Sequence, residues 1–317
     1  MSDPKVASSE GIVVRVRPRK VWVEIGGRSH PAFLRGSLSV GPRRTTHVVA
    51  VGDRVRVSRE RGRYAIEEVM PRRNVISRVD PGSTKRDIEH VMAANLDWFV
   101  VVVSLAQPAL NYRGLDRFLV LGEISDIPCA ILLNKDDVAE EYEPTPEEIY
   151  APTGYPLIRT SAKSGTGLSE VRALLEDKVS LLAGPSGVGK SSLLNAIFPG
   201  LELPTQPVSD ATGKGVHTTT RVEWVPIPGG GALLDSPGVR SIQPFGLTGE
   251  NLDLCFPEMA QLHGNCQFND CKHRDEPGCA VRAAVEVGKI SESRYEGYCR
   301  ILQGVDKPEW WRRSIGS

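Results

Sequence analysis

The residues with the clearest chemistry form the stretch 184–192, which reads GPSGVGKSS. It matches the pattern G-x-x-x-x-G-K-[ST], in which glycines let backbone N–H groups converge on phosphate oxygens. We expect Lys190 to reach the β- and γ-phosphates and to assist catalysis, and the Ser191 hydroxyl to bind Mg²⁺. The predicted phosphate-binding residues are Gly184, Pro185, Ser186, Gly187, Val188, Gly189, Lys190, Ser191 and Ser192. The stretch therefore predicts a nucleoside triphosphate site.

A second motif, NKDD at 134–137, predicts which base is bound. A carboxylate at Asp137 can accept two hydrogen bonds from guanine N1–H and N2–H₂, a donor pair that adenine lacks. Two charge-assisted bonds favour guanine by at least about a hundredfold. We expect Asn134 to tie this segment to the phosphate loop and Lys135 to lie along the base. The predicted base-side residues are Asn134, Lys135, Asp136 and Asp137.

The segment Ser161-Ala162-Lys163 follows the NKDD motif and matches the S-A-K sequence whose backbone contacts guanine O6. Together the two motifs favour GTP as the substrate. A protein that uses ATP in its phosphate loop is a further interpretation, which both motifs oppose.

The sequence after the phosphate loop supplies further candidate Mg²⁺ ligands. DSPG at 235–238 matches D-x-x-G, in which Asp235 holds Mg²⁺ through water and the Gly238 N–H meets the γ-phosphate. Within the stretch GVHTTT at 215–220, one threonine should complete the Mg²⁺ shell and support catalysis. Thr219 is favoured over Thr218.

The position directly after D-x-x-G is Val239, where many GTPases have a glutamine that orients the attacking water. We therefore expect slow intrinsic hydrolysis. His217 is the candidate catalytic group within the chain, although it could instead only order its loop. A module that binds RNA under the control of GTP, with negligible turnover, is the alternative to an enzyme.

Four residues near the C-terminus have spacing typical of a metal site: Cys266, Cys271, His273 and Cys279. Three thiolates and one imidazole suit a closed, tetrahedral, structural Zn²⁺. His263 is a less favoured substitute ligand. The region around the cluster has too few apolar residues for a core of its own, so we expect the metal to supply its folding energy.

The predicted secondary structure that must position these motifs differs between the start of the chain and the rest. Residues 11–70 alternate short β-type runs with turns, which predicts a small barrel. Of 39 basic and 39 acidic residues in all, 17 and 8 fall within residues 1–80. This basic excess favours an OB-type barrel that binds nucleic acid. An SH3-like barrel would give a similar sequence pattern.

From residue 97 onward, apolar strands alternate with helical patterns, which predicts a parallel α/β sheet. The motif order is NKDD, SAK, phosphate loop, threonine loop and DSPG, whereas an ordinary GTPase begins with the phosphate loop. The fold class is therefore multidomain, with an OB-type barrel, a circularly permuted α/β P-loop GTPase domain and an irregular, helical zinc-binding domain. The predicted bounds are 1–75 for the barrel, 76–96 for a linker, 97–245 for the GTPase domain and 246–317 for the zinc-binding domain.

This combination of motifs resembles the RsgA (YjeQ) family of GTPases that depend on the small ribosomal subunit. The resemblance implies a late assembly factor that binds the 30S subunit and 16S rRNA near the decoding region. It also implies weak GTP hydrolysis that the 30S subunit stimulates, and release of the factor after hydrolysis. It points to His217 as the catalytic group as well, although this histidine could instead contact rRNA.

The apolar runs are all too short to span a bilayer, and the first ten residues lack the features of a secretory signal. We therefore expect a cytoplasmic protein without a membrane partner. No extended coiled coil is evident, so a monomer is expected.

Overall fold

The computed structural model describes residues 8–18, 20–39, 48–60, 62–79, 88–204, 222–235, 243–305, 307 and 310–311. The first unit is a closed barrel with strand order β1-β2-β3-β5-β4. Its strands are β1 Ser9–Arg17, β2 Lys20–Ile25, β3 Arg28–Leu34, β4 Arg54–Glu60 and β5 Arg63–Val69. Alternate valines such as Val21, Val23, Val55 and Val57 point inward and form the core. The predicted five-stranded barrel is confirmed.

The segment 76–96, predicted as a linker, holds regular structure. Strand β6, Val75–Val79, pairs antiparallel with β7, Glu89–Ala94, and residue 244 bridges to Arg78. Within the described residues the segment thus holds an antiparallel strand pair rather than an irregular connector. Ile76 and Ser77 of β6 and the four residues 91–94 of β7 are buried in succession, so the pair is covered by neighbouring structure. The domain bounds themselves stay a prediction.

The second unit is a six-stranded sheet with order β10-β9-β8-β11-β13-β12. Its strands are β8 Trp98–Ser104, β9 Cys129–Asn134, β10 Leu157–Thr160, β11 Val179–Ala183, β12 Glu223–Pro226 and β13 Ala232–Asp235. Only β12 runs antiparallel to its neighbour. Helices cover the sheet: α1 Tyr112–Ile124, α2 Pro146–Tyr150, α3 Leu168–Leu175 and α4 Lys190–Ile197. The continuous apolar run of β8 is explained by burial on both faces.

The third unit carries helices α5 Pro257–Ala260, α6 Ala280–Glu286 and α7 Glu292–Gly304. The expectation that this region lacks an apolar core is wrong. Leu252, Phe256, Tyr298 and Ile301 are buried together, and Val120 of α1 joins them. This core could not be recognised in the sequence, because its members are scattered over about 60 residues and part of the cluster comes from α1. Among the described residues, no helix is long and apolar enough to cross a membrane.

Candidate functional site

The phosphate loop joins the end of β11 to the start of α4. Three of its glycines, Gly184, Gly187 and Gly189, have φ values of 145°, 78° and 92°. A Cβ atom on Gly184 would lie 2.1 Å from the backbone oxygen of Val102. Only glycine permits this backbone path, because side chains are strained at positive φ. The path brings the backbone to the N-terminus of α4, which is a favourable place for an anion.

The ammonium group of Lys190 folds back over its own loop. Its Nζ donates to the backbone oxygens of Gly184 at 2.9 Å and Pro185 at 2.8 Å. Around it, Ser191 is half-buried, Ser186 and Ser192 are exposed, and Val188 is buried. The loop's cation is therefore held at the concave side of the loop, where a phosphate would meet both the ammonium and the helix N-terminus.

The base-side motif touches the phosphate loop through Asn134, at the end of β9. Its Nδ2 donates to the backbone oxygen of Val188 at 2.8 Å, and its Oδ1 accepts from the Thr160 hydroxyl at 3.2 Å. The side chain of Asn134 is buried. The contact expected between the two motifs is present, and Thr160 is a supporting residue that the sequence motifs did not indicate.

Asp137 and Asp136 are adjacent but have different partners. Asp137 accepts a hydrogen bond from the Ser161 hydroxyl at 2.6 Å, and the Lys163 ammonium lies 3.8 Å from it. The Ser161 hydrogen bond lowers the pKa of Asp137, so this carboxyl stays ionised. Asp136 instead pairs with Arg159 of β10 at 3.0 Å. The carboxylate that reaches the S-A-K segment is thus that of Asp137, and Ala162 lies half-buried beside it.

Lys135 lies between these groups and has a left-handed backbone with φ of 67°. Its Nζ donates to the backbone oxygen of Gln107, in the segment after β8. This contact joins the end of β9 to the segment after β8 at the carboxyl edge of the sheet. Gln107 is a second supporting residue without a sequence signal, because any residue supplies a backbone oxygen.

The structure describes only some of the residues predicted to bind Mg²⁺ or the γ-phosphate. Asp235 ends β13 and lies opposite Leu182 of β11, so its carboxylate is at the same sheet edge as the phosphate loop. With the Ser191 hydroxyl it offers the oxygen donors that Mg²⁺ prefers, and the donor chemistry fits that ion. The predicted residues His217, Thr219 and Gly238 lie outside the described residues.

A cavity of about 620 Å³ lies beside the phosphate loop. Pro185 and Val188 line one side, and Ser293, Glu296 and Arg300 of α7 line another. None of the NKDD or S-A-K residues contributes to this cavity. The C-terminal helix and the phosphate loop therefore line one cavity, which the sequence order alone did not suggest.

The cysteine cluster has the geometry of a tetrahedral zinc site. The ligand atoms of Cys266, Cys271, His273 and Cys279 all lie within 4.8 Å of one another. The Sγ atoms of Cys266 and Cys279 are 3.9 Å apart, and His273 Nδ1 lies 3.5 and 3.4 Å from them. Tetrahedral Zn²⁺ with normal bond lengths places its ligand atoms about 3.5–3.8 Å apart. The four residues fit a structural Zn²⁺ that they would enclose completely.

Asp253 lies behind the cluster and contacts both nearby histidines. Its Oδ2 is 3.6 Å from His273 Nε2 and 2.8 Å from His263 Nδ1. Burial opposes its charge, but these histidine contacts dominate and hold the pKa of Asp253 at about 2. His263, the less favoured ligand, is thus turned toward Asp253, and the described cluster contains His273 instead.

A buried charge network joins the C-terminal helix to the GTPase unit. Arg294 of α7 contacts Glu258 at 2.7 Å and Asp116 of α1 at 2.6 Å, and Tyr150 also donates to Asp116 at 2.8 Å. Arg294, Asp116 and Glu258 are almost wholly buried. A Cβ atom on Gly297 would lie 2.1 Å from the Asp116 carboxylate, so a glycine is needed for this approach. The network fixes α7 against α1.

Comparison with known proteins places this geometry in one family. A family model described as RsgA GTPase matches residues 69–245. A Bacteroides fragilis (strain YCH46) protein named small ribosomal subunit biogenesis GTPase RsgA is 40% identical over 296 residues, which cover 91% of this chain and 94% of that protein. A Shewanella oneidensis protein of the same name is 45% identical over 246 residues, covering 76% of this chain and 68% of that protein.

Solved structures show the same architecture. The crystal structure of YjeQ from Thermotoga maritima has a TM-score of 0.75 and 34% identity, and covers 94% of this chain and 99% of that chain. The structure of YloQ, described as a circularly permuted GTPase, has a TM-score of 0.70 and 29% identity, with coverage of 94% and 95%. The permuted order predicted from the motifs is confirmed by this likeness and by the strand order.

Proposed function

Because the chain belongs to the RsgA GTPase family and is a GTPase, we propose that its nucleotide site serves the biogenesis of the small ribosomal subunit. The observation that carries the proposal is the arrangement of the NKDD and S-A-K motifs beside the phosphate loop. Asn134 is bonded to the phosphate loop, and Asp137 is held ionised by Ser161. Membership in a family of GTPases favours turnover over a module that only binds GTP.

The finer proposal concerns the partner. The chain binds the 30S subunit as a monomer in the cytoplasm, contacts 16S rRNA near the decoding region and leaves after GTP hydrolysis as a late assembly factor. The basic excess of residues 1–80 supports an RNA partner, because phosphates attract clustered arginines and lysines.

Each residue of the site has a proposed role. Asp137 recognises guanine N1–H and N2–H₂, Asn134 and Lys135 hold the base side in place, and the Ser161-Ala162-Lys163 backbone contacts O6. Lys190 moves from its own loop oxygens to the β- and γ-phosphates. Ser191, Thr219 and Asp235 would hold Mg²⁺, which when bound neutralises phosphate charge. Cys266, Cys271, His273 and Cys279 would hold Zn²⁺ as a structural ion.

The attacking water needs a group to orient it, because Val239 has no polar atom in its side chain. His217 is the proposed group, brought to the γ-phosphate when the 30S subunit binds. GTP turnover of His217→Ala, measured with saturating 30S subunits, should fall strongly relative to the unsubstituted chain. Turnover that stays the same would contradict this role.

Co-sedimentation tests the partner proposal. The chain should pellet with purified 30S subunits in the presence of a non-hydrolysable GTP analogue and remain largely in the supernatant with GDP. A matched variant, Asp137→Asn, should lose the nucleotide dependence because it no longer binds guanine tightly. Equal pelleting with GTP analogue, GDP and no nucleotide would contradict nucleotide-controlled binding.

A further inference from the structure

The cavity of about 620 Å³ adjoins the part of the phosphate loop where Lys190 lies. Its wall includes Pro185, whose backbone oxygen accepts a hydrogen bond from Lys190 Nζ at 2.8 Å. Val103 and Ser104 at the end of β8, and residues 108–113 after that strand, form another part of the wall. No described residue of the NKDD or S-A-K motif lines it. The cavity therefore lies on the phosphate side of the nucleotide site, away from the residues predicted to bind the base.

Arginines from two helices that pack against each other meet at this cavity. Arg113 belongs to the first turn of α1, and Arg300 belongs to α7. Both also line a second cavity of about 170 Å³, where Arg117 of α1 joins them. Among the described residues that line the two cavities, the only carboxylate is that of Glu296. Three arginines and one carboxylate give these walls a positive excess, which a bound anion would offset.

The single carboxylate is engaged by only one of these arginines. Glu296 accepts a hydrogen bond from Arg300, one turn further along α7, and both side chains reach solvent. Arg113 is exposed, and no ion pair between described residues includes it. Its guanidinium is therefore available to a ligand in the cavity. The planar fork of N–H donors in a guanidinium matches the oxygens of a phosphate.

GTP hydrolysis produces an anion that matches this set of groups. The oxygen of water bonds to the γ-phosphorus, the bond from that phosphorus to the bridging oxygen breaks, and its electron pair stays on GDP. One proton of the water remains on the product, HPO₄²⁻, and the other passes to solvent. A phosphate that carries a proton can donate it in a hydrogen bond to a carboxylate, while its other oxygens accept from arginines. An RNA phosphodiester or a sulfate has no such proton, so Glu296 would repel either of them.

We propose that this cavity, here called the phosphate cavity, binds the inorganic phosphate released from GTP. Arg113 and Arg300 bind its oxygens, and Glu296 accepts a hydrogen bond from its O–H group. The inference rests on the proposed role of Lys190 at the γ-phosphate, because that role places the leaving phosphate next to Pro185. It adds a site for a product of the reaction, formed jointly by α1 and the C-terminal helix.

Titration of the full chain with inorganic phosphate tests the phosphate cavity. The chain is first loaded with a non-hydrolysable GTP analogue, which fills the γ-phosphate position and leaves the cavity open. Binding is followed by the width of the phosphorus NMR resonance of the free ion. Arg113→Ala and Arg300→Ala should each weaken binding roughly tenfold, because charge-assisted hydrogen bonds are lost. Arg63→Ala, which removes an exposed arginine of the barrel, is the matched control and should bind phosphate as before.

Glu296→Gln tests whether the site recognises the proton on the phosphate. The unsubstituted chain should prefer phosphate over sulfate by roughly tenfold, since only phosphate can donate to the carboxylate. The variant should lose most of this preference, because a neutral amide does not repel sulfate. The preference is measured by competition between the two ions.

Three results would overturn the inference. The first is phosphate binding that neither arginine variant changes, or that the GTP analogue abolishes, which would place the ion in the γ-phosphate position. The second is equal affinity of the unsubstituted chain for phosphate and sulfate. The third is displacement of the phosphate by a short single-stranded RNA, which would assign the cavity to phosphodiesters.

A parallel assay separates this inference from the proposed function, because the phosphate titration contains no ribosomal particle. GTP turnover of the unsubstituted chain is measured with and without 30S subunits. Stimulated turnover without phosphate binding would overturn only the phosphate cavity. Phosphate binding without stimulation by 30S subunits would overturn only the proposed function in small-subunit biogenesis.

Discussion

Asp137 and Asp116 are both aspartates in networks of charge-assisted hydrogen bonds, yet their surroundings differ. Asp137 lies at the open sheet edge, and a serine hydroxyl and a distant lysine are its side-chain partners. Asp116 lies between two units of the protein, where Arg294 and Tyr150 both donate to its Oδ1. Asp137 therefore lies where a ligand can reach it, whereas the buried Asp116 bonds only side chains that hold the fold together.

The pKa values of the two carboxyl groups are also shifted in opposite directions. The hydrogen bond from Ser161 lowers the pKa of Asp137. Burial raises the pKa of Asp116, although Arg294 and Tyr150 oppose the shift. The exposed Asp137 carboxylate is ionised, whereas the buried Asp116 carboxylate depends on Arg294 to remain charged. Substitutions at the two networks should therefore damage different properties.

The largest effect is expected from Arg294→Met. The variant leaves the Asp116 and Glu258 carboxylates buried without their cation, which costs about 3–5 kcal/mol of stability. Because a carboxyl whose folded pKa is raised contributes stability at low pH that is lost as pH rises, the loss should be larger at pH 8 than at pH 5. Denaturant unfolding at both pH values measures it.

Arg300→Ala is the matched control for that prediction. Arg300 lies on the same helix and pairs with Glu296, but both side chains reach solvent. Exposed pairs contribute less than about 1 kcal/mol, so its unfolding midpoint should barely move. An Arg294→Met midpoint equal to that of Arg300→Ala would show that the buried network does not hold α7 on α1.

Asp137→Asn should alter ligand binding rather than stability. Two hydrogen bonds from guanine to a carboxylate are lost, so the affinity for GDP should fall by at least about a hundredfold. Titration with a fluorescent GDP analogue measures the fall. Asp136→Asn is the control, because Asp136 pairs with Arg159 and should leave the affinity within about threefold. Equal losses in both variants would contradict the assignment of Asp137 to the base.

Asp253→Asn should give the smallest of the three effects, because Asp253 contacts a predicted zinc ligand without being a ligand itself. Its carboxylate orients His273, and such outer partners typically change metal affinity by about tenfold or more. Competition for Zn²⁺ with a coloured chelator measures the change. Cys299→Ser, outside the cluster, should bind Zn²⁺ as before. An unchanged affinity in Asp253→Asn would show that the aspartate does not position His273.

Local motifs made much of the nucleotide site predictable. The glycine conformations and the Asn134 contact follow from the phosphate loop and the NKDD motif, two short stretches in which residue type determines local geometry. Arg294 and Asp116 are 178 residues apart and have no motif, so only the packing of α7 on α1 brings them together. The C-terminal core was missed for the same reason, because Val120 completes it from another unit. Sequence reasoning thus identified candidate ligand-binding groups and missed groups that join units.

The central claim is that this permuted GTPase acts on the small ribosomal subunit. Multiple-turnover phosphate release from GTP, measured with purified 30S, 50S and 70S particles, tests it most directly. The account predicts slow release by the chain alone, strong stimulation by 30S subunits and little by 50S subunits. Equal rates with 30S subunits, 50S subunits and buffer would contradict it.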